Sequence, residues 1–259
     1  MEYAVFISKV GNLKYCERSF TRLYFGNEFC QGLAPTPNEL EDVLNFAGSY
    51  DFTLVTPYVT DEGLAKLRSL FDLVLKRRSE SEVVFNDWGV FSILREQYRS
   101  FEPVMGRLLN KMKRGPRLMT VLDRIPRDTI EYFRGSNLSV PLFRRFLREN
   151  GVRRVEFDNV LQGIDFDFGN MELSLYMPFA YVTTTRACLV NACDIPEKRE
   201  LVGIFPCQRE CQKYTFHLKS EVMPVTLVRK GNTLFFKNEE IAQGLSRVSR
   251  IVIEPEIPM

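Results

Sequence analysis

One histidine and one tryptophan in 259 residues exclude much enzyme chemistry at the outset. Zinc hydrolases of the HExxH kind need two imidazoles, and Ser-His or Cys-His nucleophile pairs need one beside the nucleophile. The single His217 sits in the alternating run 213–219, which reads as a strand and gives it a structural or exposed place. A Walker A loop and a GxGxxG fingerprint are both missing, so the usual backbone cradles for nucleotide phosphates are absent and no nucleotide cofactor is expected. No run nears the roughly 20 uncharged apolar residues that cross a bilayer. The opening MEYAVFISKVGNLKY lacks the basic-then-apolar order of a signal peptide. A cytoplasmic protein without a membrane span is expected.

What the chain does contain is ordinary globular composition, 45% apolar and 26% charged, with enough length for a large core. Short apolar or β-branched runs at 3–9, 22–28, 52–56, 82–86, 104–109, 152–158 and 172–177 alternate with longer amphipathic stretches, the pattern of parallel strands joined by helices. Thr36-Pro-Asn-Glu39 offers a hydroxyl cap, a proline at the first helical position and a glutamate that reaches back, which predicts a helix over 37–48. Thr60-Asp-Glu opens a second helix, ending near Arg78, and Pro141 opens a third, ending at Gly151. Only residues 10–21 separate the first two strands, too few for a full crossover helix. Further strands fall at 222–230, 232–236 and 248–254, with a short helix over 238–245. The expected fold is an α/β protein, an incomplete or irregular TIM-like parallel barrel over 1–211. A small β-rich closing segment, 212–259, packs on it without forming an independent domain.

Six cysteines in a reducing compartment point to metal or redox work more than to disulfides. Two pairs lie close in sequence, Cys188 with Cys193 and Cys207 with Cys211, and three residues between Cys207 and Cys211 let two thiolates face one centre. Thiolates select zinc, copper or iron-sulfur clusters, and a cluster of four irons takes four of them. Spacing alone leaves a four-cysteine zinc site open.

The segments LYFGNEFC (23–30) and MPFAYVTTTRAC (177–188), with the pair Cys207 and Cys211, resemble the collagenase-like peptidase family of unassigned mechanism (peptidase family U), in its UbiV-like iron-sulfur branch. The resemblance implies a 4Fe-4S cluster held by Cys30, Cys188, Cys207 and Cys211. It also implies a role in oxygen-independent hydroxylation, of ubiquinone-type or RNA substrates, together with a protein partner of the same family. The gap between Cys188 and Cys207 is longer than the family's, and Cys193 inside it is a substitute for Cys188; Cys16 matches no ligand and reads as structural. The family's name carries the alternative of a peptidase, and a non-catalytic scaffold pinned by its metal is a third reading.

In a barrel the functional face is at the carboxyl ends of the strands. Asn86, Asp87 and Trp88 follow the fourth strand, Arg107 and Asn110 lie near the end of the fifth, and Asp158 and Asn159 follow the sixth. These would line a substrate pocket, with Trp88 as an aromatic wall and Asp87 or Asp158 as proton acceptor. Strand-end Asp and Asn more often make turns and helix caps. Residues 107–154 hold thirteen Lys or Arg against four Asp or Glu, hidden in a net charge of +2. Such a run is usually a solvated helix face; it also fits an acidic partner or RNA.

Overall fold

A computed structural model describes residues 1–198, 206–241 and 248–259. Strand β1 (Glu2–Ile7) leads through a tight helical turn, Val10–Tyr15, to β2 (Arg22–Gly26), so the shortened first connection is real. Then follow α1 (Pro37–Phe46), β3 (Asp51–Val55), α2 (Asp61–Arg77), β4 (Glu82–Phe85), α3 (Trp88–Gln97) and β5 (Glu102–Met105). A long crossover carries α4 (Arg127–Arg134) and α5 (Pro141–Glu149) to β6 (Arg154–Asp158), and a helix-free loop leads to β7 (Glu172–Met177). The remaining strands are β8 (Phe179–Thr184), β9 (Phe216–Leu218), β10 (Leu227–Lys230), β11 (Thr233–Lys237) and β12 (Val248–Ile253). Residues 242–245 of the expected helix over 238–245 lie outside the described residues. Among those described, no helix is long and apolar enough to cross a membrane.

Eight parallel strands close a TIM-like barrel in the order β1-β12-β7-β6-β5-β4-β3-β2. The barrel is therefore irregular in its connections but complete. Its last stave, β12, comes from the C-terminal segment and pairs β1 through Val5 and Ile253 and β7 through Ile251 and Leu175. The other C-terminal strands form an antiparallel sheet, β8-β11-β10-β9, which begins with β8 inside the stretch assigned to the barrel. The boundary expected at 211 thus cuts across both sheets, each of which takes strands from either side of it.

The period of two along each stave sorts the side chains. Outward-facing Val5, Leu23, Phe52, Val83, Phe157 and Leu175 join the helices in one large core. Inward-facing Phe6, Tyr24, Val84, Tyr176 and Val252 form a small apolar belt. Above and below that belt the interior is charged, unlike the branched apolar layers usual in such barrels. At the amino-end layer Arg250 donates to Glu82 at 2.6 and 2.9 Å, to Glu2 at 2.6 Å and to the Tyr24 hydroxyl at 2.6 Å. At the carboxyl-end layer Arg107, fully buried, donates to Glu28 at 2.6 and 2.9 Å, to Asp158 at 3.1 Å and to Glu254. Arg114 adds a second guanidinium, 2.7 Å from Asp158.

Candidate functional site

The antiparallel sheet sits over the carboxyl-end mouth. The Tyr181 amide of β8 donates to Asp158 at 3.1 Å, and Phe29, Tyr181 and Phe235 pack edge to face. This arrangement gathers four cysteines from distant segments. Cys30 follows β2 in a turn set by the Asn27 carbonyl, which accepts the Phe29 and Cys30 amides at 3.0 and 2.8 Å. Cys188 follows β8. Cys207 and Cys211 flank Arg209, a residue in the left-handed region at φ 57°, and Cys211 is buried in the helical turn Glu210–Gln212.

Burial first, and then negative charge on Cys211 and Cys207, push the Cys30 thiol above its ordinary value, while the Gly32 and Leu33 amides oppose this. For Cys188 burial is again foremost; the Val190 amide opposes it, and Cys211, Cys30 and Cys207 add to the rise. The four thiols therefore feel one another. Each also faces an N–H donor: Gly32 and Leu33 for Cys30, Val190 for Cys188, the Arg209 amide 3.4 Å from the Cys207 sulfur, and the Gln212 side-chain amide 3.5 Å from Cys211. Three of the backbone donors stand two residues after their cysteine.

Cys193 is placed differently. Its thiol is raised by burial and then by Asp194 and Glu210, and no other cysteine contributes. Cys16 lies against the outer core, where burial pushes its thiol up to about 11. Among the described residues, no group of three or more His, Cys, Asp or Glu side chains is placed to hold a metal ion. His217 is exposed on β9, paired through its backbone with Val228.

Three residues that the sequence did not single out hold this neighbourhood together. The buried Glu210 carboxylate accepts the Ala192 amide at 2.8 Å and the Gln208 amide at 3.2 Å, joining the Cys188 loop to the Cys207 loop. The Asn232 side-chain amide donates to the Phe29 carbonyl at 2.6 Å, the Thr185 carbonyl at 2.7 Å and the Tyr58 hydroxyl at 2.8 Å, tying the exit of β2 to the approach to Cys188. Gly231, at φ 57°, leaves room that a side chain would take from Cys211 and Met259. Lys230-Gly-Asn-Thr reads from sequence only as a turn; that its tip meets the cysteines depends on the sheet folding over the barrel.

The expected substrate-pocket residues fare unevenly. Asn86 is buried; it donates to the Thr56 carbonyl at 3.0 Å and accepts the Leu108 amide at 3.1 Å. Asp87 caps α3, accepting the Gly89 amide at 2.7 Å, so it is a helix cap. Trp88 is on the outer helical layer against Phe85, Phe91, Phe143 and Phe146, and is not a pocket wall, because the first helical position turns it away from the mouth. Arg107 is a buried ionic hub. Asp158 is fully engaged by Arg107, Arg114 and the Tyr181 amide, which leaves it no role as a free proton acceptor. Asn159 and Asn238 exchange side-chain to backbone hydrogen bonds at 3.3 and 3.0 Å, and Asn110 donates to the Glu156 carbonyl at 3.0 Å. Most of these groups satisfy buried backbone, as strand-end polar residues must.

The open space at the mouth is a cleft of about 640 Å³ lined by Tyr58, Asn86, Lys111, Lys113, Thr183 and Arg186, among others. A smaller cavity of about 170 Å³, bounded by Cys30, Gln31 and Asn232, shares Tyr58 and Arg186 with it. The cysteine neighbourhood therefore adjoins the cleft.

No protein-family model matches this chain, and no curated protein matches it. Among solved structures it is similar to a plant class V chitinase mutant from Cycas revoluta in complex with (GlcNAc)3, at 10% identity and a TM-score of 0.36, over 98% of this chain and 94% of that one. A likeness of that degree bears on neither substrate nor activity.

Proposed function

We propose that this chain is an iron-sulfur protein whose 4Fe-4S cluster is held at the barrel mouth by Cys30, Cys188, Cys207 and Cys211. One observation carries the reading: four thiols from distant parts of the chain share a neighbourhood, each with an N–H group directed at its sulfur. Hydrogen bonds to cysteine sulfur stabilise the thiolate over the thiol and help set a cluster's potential. Burial is the main cause of the raised Cys30 and Cys188 values, and the neighbouring cysteines add to it.

When bound, such a cluster supplies one-electron chemistry. The chain's own part would be to hold it at the barrel mouth through ligands that range from buried Cys211 to exposed Cys207, and to donate amides to them. With four cysteines for four irons, the cluster has an electron-transfer or structural role, and substrate chemistry belongs to the cleft or to a partner. The family resemblance of the cysteine segments extends this to a component of an oxygen-independent hydroxylation system acting with a second subunit.

Substitution separates the ligands. Cys30→Ser, Cys188→Ser, Cys207→Ser and Cys211→Ser each lower the iron content of anaerobically purified protein, whereas Cys193→Ser and Cys16→Ser retain it. Retention in Cys188→Ser with loss in Cys193→Ser would reassign the second ligand, and zinc bound in place of iron would leave only a metal-pinned scaffold. Cleavage of a labelled peptide by the purified protein would favour the peptidase reading instead.

A further inference from the structure

The cleft beside Cys30 is lined by several cations and, among the described residues, by no carboxylate. Lys111 donates to the Leu108 carbonyl at 2.9 Å, Lys113 lies over the Phe133 ring, and Arg186 donates to the Val59 carbonyl at 3.4 Å and lies over the Tyr58 ring. All three are exposed, and among the described residues none of them has a carboxylate partner and no Asp or Glu lines the cleft. Burial of its stem, and next the adjacent Arg114 guanidinium, hold Lys111 below the ordinary lysine range. Arg114 itself is spent on Asp158 and three backbone carbonyls.

A second large cleft, about 720 Å³, opens at the opposite end of the barrel. Its Arg95, Arg99, Arg153 and Arg154 share the walls with Glu82, Glu102 and Glu172, so most of its positive charge is already offset. The mouth cleft, by contrast, is lined by Lys111, Lys113, Arg114 and Arg186 and, among the described residues, by no Asp or Glu.

We infer that the mouth cleft binds a small phosphate-bearing molecule, held by Lys111, Lys113 and Arg186. Lysine ammonium groups act as point charges for phosphate, and a guanidinium adds a planar fork. The Thr183 hydroxyl is within the same lining, and Leu108, Met112 and Val182 give an apolar wall for the rest of the ligand. The volume lies inside the range of roughly 300–1,000 Å³ typical of small-molecule sites. An RNA strand needs a longer basic track, and the thirteen cations of 107–154 do not form one. Arg107 and Arg114 are inside the barrel, Arg154 is at its other end, and Arg127, Arg144 and Arg145 pair with Glu131, Asp167 and Glu149. This assignment stands independently of whether the thiols hold a cluster.

Calorimetric titration of the full chain with pyrophosphate at low ionic strength tests it, in the protein as purified and after removal of any iron. One saturable site is expected in both. The double variant Lys111→Met/Lys113→Met, and separately Arg186→Met, should weaken binding by on the order of tenfold or more, while Lys76→Met on α2 leaves it unchanged. Absence of saturable binding would overturn the inference, as would equal binding by the Lys76 and Lys111/Lys113 variants. Capture of a single-stranded RNA oligomer that saturating pyrophosphate does not displace, with no pyrophosphate site of its own, would overturn it in favour of a polymer surface. Iron analysis on the same samples reports on the cluster separately, so either reading can fail alone.

Discussion

Arg107 illustrates how much of this molecule depends on single buried charges. Its guanidinium meets Glu28, Asp158 and Glu254 and stacks on the Tyr176 ring, 4.0 Å from the centroid. An ion pair of this kind adds little stability over a well-packed apolar core, but removing one member strands the others. Arg107→Met is therefore expected to destabilise the fold by roughly 3–5 kcal/mol in urea unfolding; a change under about 1 kcal/mol would show that the fold does not depend on this guanidinium. Glu156, one stave away, is the complementary case. Burial, and next the negative charge of Glu28, push its carboxyl up to about 8 from 4.5, against the Tyr176 hydroxyl that donates to it at 2.6 Å. Because its folded value exceeds its unfolded one, the native state holds the extra proton between about 4.5 and 8, and the group's contribution to stability declines as pH rises through that window. The stability of Glu156→Gln relative to the parent should rise from pH 5 to about pH 8 and then level off. A pH-independent difference in thermal midpoint would show that Glu156 titrates normally.

At the scale of elements, what could be read in advance was local chemistry. The capping box of α1 is present as its letters imply: the Glu39 amide donates to the Thr36 hydroxyl at 3.3 Å, and the Glu39 carboxylate accepts the Thr36 amide at 2.8 Å. Thr36→Ala should cost about 1 kcal/mol in the same unfolding assay, and no loss would mean that Pro37 alone starts the helix. The helices α2 and α5 were legible for similar reasons, through Thr60 and Pro141. By contrast α3 was hidden because Asn86-Asp87-Trp88 looks like a polar loop with an aromatic wall, and only the hydrogen bond from Gly89 to Asp87 reveals a cap. Helix α4 was hidden inside a strongly basic stretch whose apolar positions are only half buried. Gly26 shows what no periodicity can: at φ 140° it faces the Val55 carbonyl, and a Cβ there would collide with it. That close approach lets β2 turn out toward Cys30.

The whole molecule depends on contacts that join the ends of the chain. β12 closes the barrel only by lying between β1 and β7, and a parallel pairing across more than two hundred residues leaves no trace in the composition of 248–254. The same holds for the cysteines. Cys207 and Cys211 announce themselves by spacing, but Cys30 entered through family resemblance, and its nearness to them is created by β8 and β11 covering the mouth. The basic run was visible as a count and misleading as a surface, since its members are divided between the barrel interior, its two ends and paired helix faces. What the fold adds is adjacency: Cys30 on one side of Tyr58 and Arg186, and the cationic cleft on the other. The most direct measurement of the central claim is iron, sulfide and zinc content, with a visible spectrum, on protein purified without oxygen. The account predicts about four irons and four sulfides per chain with broad visible absorption. A colourless protein that takes up no iron after anaerobic reconstitution, or holds one zinc instead, would contradict it.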